Sequence, residues 1–432
     1  NKKNTSIIFN NININKNNIG PFKKNNNEVS WGTDLDWSGT INGFTNVNLN
    51  DTKDFEAYAN LESLKVVSLN NNATIRLSGP VKISPGKVNS PKLKILAAQS
   101  EFSINNFNGT LDSEGLRCTA NISSNSGLNM RAGINFLASK ELAKTLKALG
   151  ADGVLFAEDI EVESYFPDEG PFQAKFKGKM RINEFEMHNS FKLEDGAAGI
   201  NVTNAWWNSE KDFGGHLKIL NGTGTLNNLK VRNVITDIAL TPKEAICSQM
   251  HAELLDGVIE TDGFDENNTF FQGNVRIGLK DSLPIGVSCF LHNLDLGTLR
   301  NELEIPGALS GKLSGRLEVE SPTPSPTFAK GSAQLKVNRG ILGAVPVLNK
   351  IWQVAGLTPP IINTGNFKIR LNGNGIINME HFSLDGAAIE LTGKGYALMD
   401  SSVNLKVTMR TFSILGRLPL LKDIWDFFIE QQ

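Results

Sequence analysis

The sequence is poor in the residues that would supply cross-links, a strong net charge or a membrane-spanning segment. Its three cysteines, Cys118, Cys247 and Cys289, lie far apart without a CxxC pair, so we expect neither a disulfide framework nor a cysteine metal site. With 43 basic and 45 acidic residues, the chain has no positive excess that would favour nucleic acid as its main partner. No run of eighteen apolar residues occurs, so we expect the chain to be a fragment whose targeting or anchoring segment lies outside it.

The sequence also lacks the common signatures of enzymes. It contains no HExxH, P-loop or GxSxG motif, and its five histidines do not have the spacing of metal ligands. Asp159 and Glu161 fall on one strand face and could serve a glycosidase, but without aromatic subsites the pattern favours a solvated face. The sequence therefore predicts a protein that is not an enzyme and that needs no metal or cofactor.

What is abundant is glycine, asparagine and alternation of apolar with polar residues. From residue 172 to 182 an apolar row alternates with a cationic one, which predicts a long strand with two different faces. The apolar row comprises Phe172, Ala174, Phe176, Gly178, Met180 and Ile182, and the cationic row comprises Lys175, Lys177, Lys179 and Arg181. The cations could meet phosphate, but an exposed sheet face is the commoner use of such a row.

Later segments repeat this alternation with short Gly/Asn turns between them. Their apolar positions are Leu313, Leu317 and Val319; Leu335 and Val337; Phe367, Ile369 and Leu371; and Val403, Leu405 and Val407. The pattern predicts a mainly β fold in which a long, curved antiparallel sheet has one apolar face. Because helices are few, that face is covered either by the sheet folding on itself or by an apolar ligand in a groove.

A few short amphipathic helices are expected. Ser139 can cap one that ends at Gly150, and Asp295 can cap another. A twelve-residue phrase, 341–352, returns at 414–425 with seven identical positions, and each copy places a proline where a helix can start. The predicted helix faces comprise Leu348, Ile351 and Trp352, and Leu421, Ile424 and Trp425. These faces either pack on the sheet and cap it or contact a membrane surface.

Trp206 and Trp207 form the densest aromatic spot in the sequence. They could be a carbohydrate platform or an interfacial anchor. Within a strand, adjacent side chains point to opposite faces, so the default expectation is one tryptophan in the core and its neighbour outside.

From about residue 290 onward, the order of motifs resembles the C-terminal region of the bacterial AsmA-like family. The motifs that carry the resemblance are 294–299 (LDLGTL), 307–315 (GALSGKLSG), 340–348 (GILGAVPVL), 382–385 (FSLD) and 391–395 (LTGKG). The likeness covers 290–429 and extends more weakly over 210–290. Before residue 200 only the general character of the sequence is similar. These motifs are turn and packing signals, so the resemblance supplies no catalytic residues.

The resemblance implies a periplasmic envelope protein tethered to the inner membrane by an N-terminal helix missing from this chain. Members of this family are related to bridge-like lipid-transfer proteins. Their long, curved antiparallel sheet forms a groove that can hold the acyl chains of phospholipids, and larger members are implicated in moving phospholipid toward the outer membrane. We accordingly expect residues 1–200 to form one groove segment and 201–432 the AsmA-like region, with the apolar positions given above as the lipid-contacting surface. We expect phospholipid or another acyl lipid as the ligand. We also expect contact with the inner and outer membranes, and envelope proteins as partners. The alternative is a structural or assembly factor for outer-membrane biogenesis whose sheet edges pair with other strands.

Overall fold

The computed structural model of the chain describes residues 4–431 with internal gaps. The gaps are 16–22, 25–26, 29–34, 49–50, 69–73, 98–99, 125, 132–143, 145, 148–149, 168–170, 189–191, 209–211, 265–268, 280–281, 355–357, 388, 399–401 and 412–423. The described residues are mainly strands, which confirms the predicted fold class: 24 strands belong to one antiparallel sheet, and two further two-stranded pairs stand apart from it.

The described strands follow one another along the chain. Up to residue 188 they are β1 (Asn4–Asn15), β2 (Lys23–Lys24), β3 (Asn27–Glu28), β4 (Leu35–Asn48), β5 (Asp51–Ser68), β6 (Thr74–Ser84), β7 (Lys87–Ala97), β8 (Ser100–Leu111), β9 (Gly115–Ser124), β10 (Leu128–Asn129), β11 (Asp152–Pro167) and β12 (Gln173–His188). From there to residue 295 they are β13 (Lys192–Asn208), β14 (Phe213–Leu226), β15 (Leu229–Leu240), β16 (Glu244–Leu254), β17 (Gly257–Glu260), β18 (Asp262–Phe264), β19 (Phe270–Gln272), β20 (Asn274–Gly278) and β21 (Ile285–Asp295).

The remaining strands are interrupted by helices. They are β22 (Leu309–Ser321), β23 (Lys330–Leu342), β24 (Ile362–Asn372), β25 (Ile376–Gly386), β26 (Ile389–Leu398), β27 (Val403–Thr411) and β28 (Ile424–Gln431). Two α-helices have both ends within the described residues, α1 (Leu296–Glu302) and α2 (Pro346–Val354), and a 3-10 helix spans Pro326–Phe328. As predicted, Asp295 caps α1 by accepting a hydrogen bond from the Thr298 amide, and Pro346 starts α2.

The chain divides into two compact units. Unit 1 comprises Asn1–Met187, Gly196–Lys218 and Leu240–Pro242, and unit 2 comprises His188–Asp195, Ile219–Ala239 and Lys243–Gln432. The boundary expected at residue 200 falls within the stretch where segments alternate between the two units.

In unit 1, consecutive strands pair in sequence order. The order is β1, β4, β5, β6, β7, β8, β9, β11 and β12, with β10 beside the first half of β11. The register shifts by β-bulges in most of these pairs, for example between Leu61 and Leu64 and between Asn105 and Asn108. Because a bulge bends its strand and increases the local twist, these strands are not flat ribbons.

In unit 2, β16 pairs with both β17 and β20, which in turn pair with β21, and each strand from β21 to β28 pairs with the next. Strands β18 and β19 form a separate hairpin between β17 and β20. Phe264 and Phe270 of this hairpin are exposed and meet edge to face, with ring centroids 5.3 Å apart.

One helix prediction was wrong. Ile424 and Trp425 were expected on a helix, but they begin β28, where they pair with Arg410 and Met409 of β27. This segment is rich in aromatic and β-branched residues, which suit a strand as well as a helix, and pairing with a neighbouring strand decides between them. Leu421 lies outside the described residues. So does most of the helix expected before Gly150, of which Lys144, Leu146 and Lys147 are helical.

Candidate apolar binding face

Three neighbouring strands of unit 1 place apolar side chains on one face of the sheet. Val162 of β11 lies opposite Ala120 of β9 and Phe176 of β12, and Met180 and Ile182 continue the row along β12. Since cross-strand partners share a face, we call this surface the apolar face of unit 1. Its members are Leu116, Cys118, Ala120, Ile122, Ile160, Val162, Ala174, Phe176, Met180 and Ile182.

Burial is uneven across the apolar face of unit 1. The side chains of Cys118, Ile160 and Ala174 are buried. The larger side chains of Val162 and Phe176, like those of Met180 and Ile182, are only half-buried. Phe172, which precedes β12, is also half-buried. Large apolar groups therefore keep part of their surface accessible, as a surface that receives an apolar ligand requires.

The opposite face of β11 and β12 is charged. Lys177 donates to Glu161 with Nζ 2.7 Å from Oε2, and this hydrogen bond raises the pKa of Lys177 above its ordinary value. Arg181 lies 3.6 Å from a carboxylate oxygen of Glu158 and stacks over the ring of Phe156 at 4.8 Å. Two members of the predicted cationic row, Lys177 and Arg181, thus have carboxylate partners on β11. The side chains of all four cations in the row are exposed.

The strands at the start of the continuous β21–β28 run in unit 2 have a comparable face. Leu317 of β22 is opposite Ala333 of β23, which is opposite Ile369 of β24, and Leu335 is opposite Phe367 in the next row. All the predicted apolar positions on β22 and β24, together with Leu335, are half-buried, namely Leu313, Leu317, Val319, Leu335, Phe367, Ile369 and Leu371.

Further along this run, α2 closes the apolar side of the sheet. Leu348, Ile351 and Trp352 are 1–2% exposed and join one core cluster with side chains of β23–β27. This cluster also contains four residues expected to contact lipid, Val337, Val403, Leu405 and Val407, all of them buried. A ligand could reach these four only if the cluster opened, and the three helix residues have almost no surface left for a membrane.

An aromatic group lies at one end of the apolar face of unit 1. The rings of Phe166 and Phe172 have centroids 4.3 Å apart, and Trp207 meets Phe172 edge to face at 5.4 Å. Trp206 is 39% exposed. One tryptophan ring therefore lies against aromatic neighbours and the other is partly exposed, in agreement with strand alternation. The link to Phe166 was missed, because only the strand pairing brings residues 166, 172 and 207 together.

Sequence reasoning also missed a polar cluster in unit 2. His251 and Glu260 are cross-strand partners with Nδ1 2.9 Å from Oε1, and the second oxygen of Glu260 lies 3.6 Å from Nε2 of His292. Histidines 41 residues apart carry no spacing signal, so only the order of β16, β17 and β21 explains why both lie beside Glu260. Across the described ranges, no group of histidine, cysteine, aspartate and glutamate side chains could hold a metal ion.

The three cysteines are free thiols. Burial raises the pKa of Cys118 and Cys247, and it raises that of Cys289 to about 11. Because the thiolate is the reactive form, these groups are poor nucleophiles at neutral pH.

No family model, curated protein sequence or solved structure matches the chain. The likeness to the AsmA-like family rests on the motifs of the sequence itself. Among the helices of the described part, none is long and apolar enough to cross a bilayer.

Proposed function

We propose that the chain is a non-enzymatic lipid-binding segment of a bacterial envelope lipid-transfer protein. The proposal is supported by the alignment of large, half-buried apolar side chains across neighbouring strands. The opposite face of these strands carries ion pairs. Acyl chains would lie against Val162, Phe176 and Met180 and against the equivalent rows of unit 2. The headgroup would stay in water.

The energetics favour such loading. Each methylene moved from water to an apolar surface gains about 0.8 kcal/mol, so a chain of ordinary length can be held by contact alone. Aliphatic and aromatic side chains make similar contacts all along an acyl chain, so the face holds lipid without fixing one position along the strands. That property suits a conduit, and the family likeness adds the proposed setting, the periplasm between the inner and outer membranes.

Lipid extraction tests the proposal. The full chain would be purified without detergent, extracted into organic solvent and analysed by mass spectrometry, before and after incubation with phospholipid vesicles. We expect phospholipid to co-purify or to be acquired from the vesicles. If no lipid is bound in either case, the proposal fails, and the role of assembly factor acting through sheet edges becomes the better account.

A further inference from the structure

The polar side of strands β25, β26 and β27 in unit 2 contains an open cleft of about 430 Å³, which we call the lysine cleft. Its lining comprises Asn378, Met379 and Glu380 of β25, Lys394 and Gly395 of β26, and Asn404 and Lys406 of β27. Leu405 belongs to the core cluster on the other side of the sheet, so its neighbours Asn404 and Lys406 face away from that core. The register of β25 shifts beside the cleft, between Met379 and Phe382, and a bulge of this kind bends its strand.

Two lysines of the lysine cleft stand directly opposite each other. Lys394 and Lys406 are cross-strand partners in β26 and β27, and both side chains are exposed, so a ligand from solution can reach them. Like charges in this position repel each other and destabilise the strand pair. An anion bound between the two ammonium groups would offset that repulsion, so the arrangement favours a negatively charged ligand.

The carboxylate that lines the lysine cleft is engaged elsewhere. Oε1 of Glu380 lies 2.7 Å from Nε of Arg370, and its other carboxylate oxygen lies 3.4 Å from Nζ of Lys368. Both oxygens therefore serve cations of β24. Together with Lys394 and Lys406, the described side chains around the cleft supply four cations to one carboxylate. The cleft therefore has a positive excess.

Asn378 and Asn404 add neutral donors at the same place. They pair with Tyr396 from either side, so their amides flank β26. Each amide has two N–H donors and each ammonium group has three, whereas a phosphate group offers negative charge and several acceptor oxygens. We propose that the lysine cleft binds a phosphate group between its two ammonium groups, with the two amides as additional donors. Because the cleft lies on the polar side of the sheet, this site is independent of the proposed lipid binding on the apolar side.

Calorimetric titration of the full chain with inorganic phosphate at low ionic strength tests the proposal. We expect saturable binding, and Lys394→Gln should weaken it at least about tenfold, the effect of losing one hydrogen bond from a charged donor. Lys336→Gln is the matched control and should leave the affinity unchanged. Lys336 is an exposed lysine on the polar side of β23, opposite Ser314 and Asn366 and outside the cleft. Because Lys394→Gln removes one of two opposed charges, it should not lower the midpoint of urea unfolding, which distinguishes lost binding from lost structure.

A second measurement identifies the source of the phosphate. Co-sedimentation of the full chain would be compared for vesicles of phosphatidylcholine alone and vesicles that also contain phosphatidic acid. Binding of inorganic phosphate identifies a soluble phosphate as a ligand. Binding only to the phosphatidic acid vesicles, lost in Lys394→Gln and kept in Lys336→Gln, identifies a headgroup at a membrane surface. No binding in either measurement, or equal losses in the two variants, overturns the phosphate site. Extraction of bound phospholipid reports on the apolar side separately, so that failure leaves the proposed function standing.

Discussion

Lys177 and Glu161 face each other across β11 and β12, with Nζ 2.7 Å from Oε2, on the side of the sheet away from Phe176. Both side chains remain more than half exposed. Solvent and salt screen such a pair, so it adds little to stability. Its role is to keep this face of the sheet hydrated.

Replacing Lys177 by Gln should therefore change neither lipid loading nor the midpoint of urea unfolding beyond experimental error. Mass spectrometry of extracted lipid and a urea titration followed by circular dichroism check this. A marked loss of bound lipid would mean that the charged face, and not the apolar one, holds the ligand.

Core and open face should differ in their response to truncation. Leu405 is 1% exposed within the cluster closed by α2, so Leu405→Ala should cost about 2–5 kcal/mol in the free energy of unfolding. Ile369 lies on the same face but is half-buried, so Ile369→Ala should cost clearly less. Urea titrations of both variants measure the difference, and equal losses would show that both positions are ordinary core.

Gly178 should not tolerate a side chain. Its φ is +135°, a region that L-residues rarely adopt, and an added Cβ would overlap the carbonyl oxygen of Asp159 on the neighbouring strand. Gly178→Ala should therefore destabilise unit 1 by about 1–3 kcal/mol or more. Gly286→Ala is the control, because its Cβ would meet only Arg276 at 3.8 Å. If thermal unfolding shows that both variants lose the same stability, the backbone at Gly178 is not as described.

The stability of the protein should fall in acid as Asp295 is protonated. The hydrogen bond from Lys312 and that from the Thr298 amide hold the pKa of Asp295 below its ordinary value. A folded-state pKa below the unfolded value of about 4 contributes stability that is present at neutral pH and is lost as the pH falls below about 4 through the folded value.

Asp295→Asn keeps an N-cap acceptor for Thr298 but does not titrate, so it should flatten this part of the pH dependence. Asp295→Ala should in addition lose about 1 kcal/mol at pH 7 through the missing cap. Urea titrations at pH 7 and pH 3 measure both effects. An unaltered pH dependence in Asp295→Asn would contradict the assignment.

Local patterns predicted much of this fold. Strict alternation from residue 172 to 182 correctly assigned the two faces of β12, and Asp295 and Pro346 correctly marked the starts of α1 and α2. These features depend on side-chain direction and capping, which are properties of short segments.

What the sequence could not distinguish was an open face from a closed one. Ile369 and Leu405 occupy equivalent positions in alternating strands, yet the first is half-buried and the second is core, because α2 and its neighbours cover only part of the sheet. Similarly, the repeated phrase predicted a second helix through Trp425, where pairing with β27 makes a strand. Both outcomes depend on tertiary contacts, which periodicity does not contain.

If the apolar face of unit 1 binds acyl chains, a carboxylate placed on that face of β12 should prevent binding, and a carboxylate on the other face should not. Phe176→Glu places a charge on the apolar face, whereas Gln173→Glu places the same group on the exposed, opposite side of β12. The quantity to measure is phospholipid bound per chain after incubation with vesicles, in variants whose circular dichroism spectra match the unaltered protein. Binding on the apolar face predicts that Phe176→Glu loses most of its lipid and that Gln173→Glu keeps it. Equal lipid loading in both folded variants would contradict it.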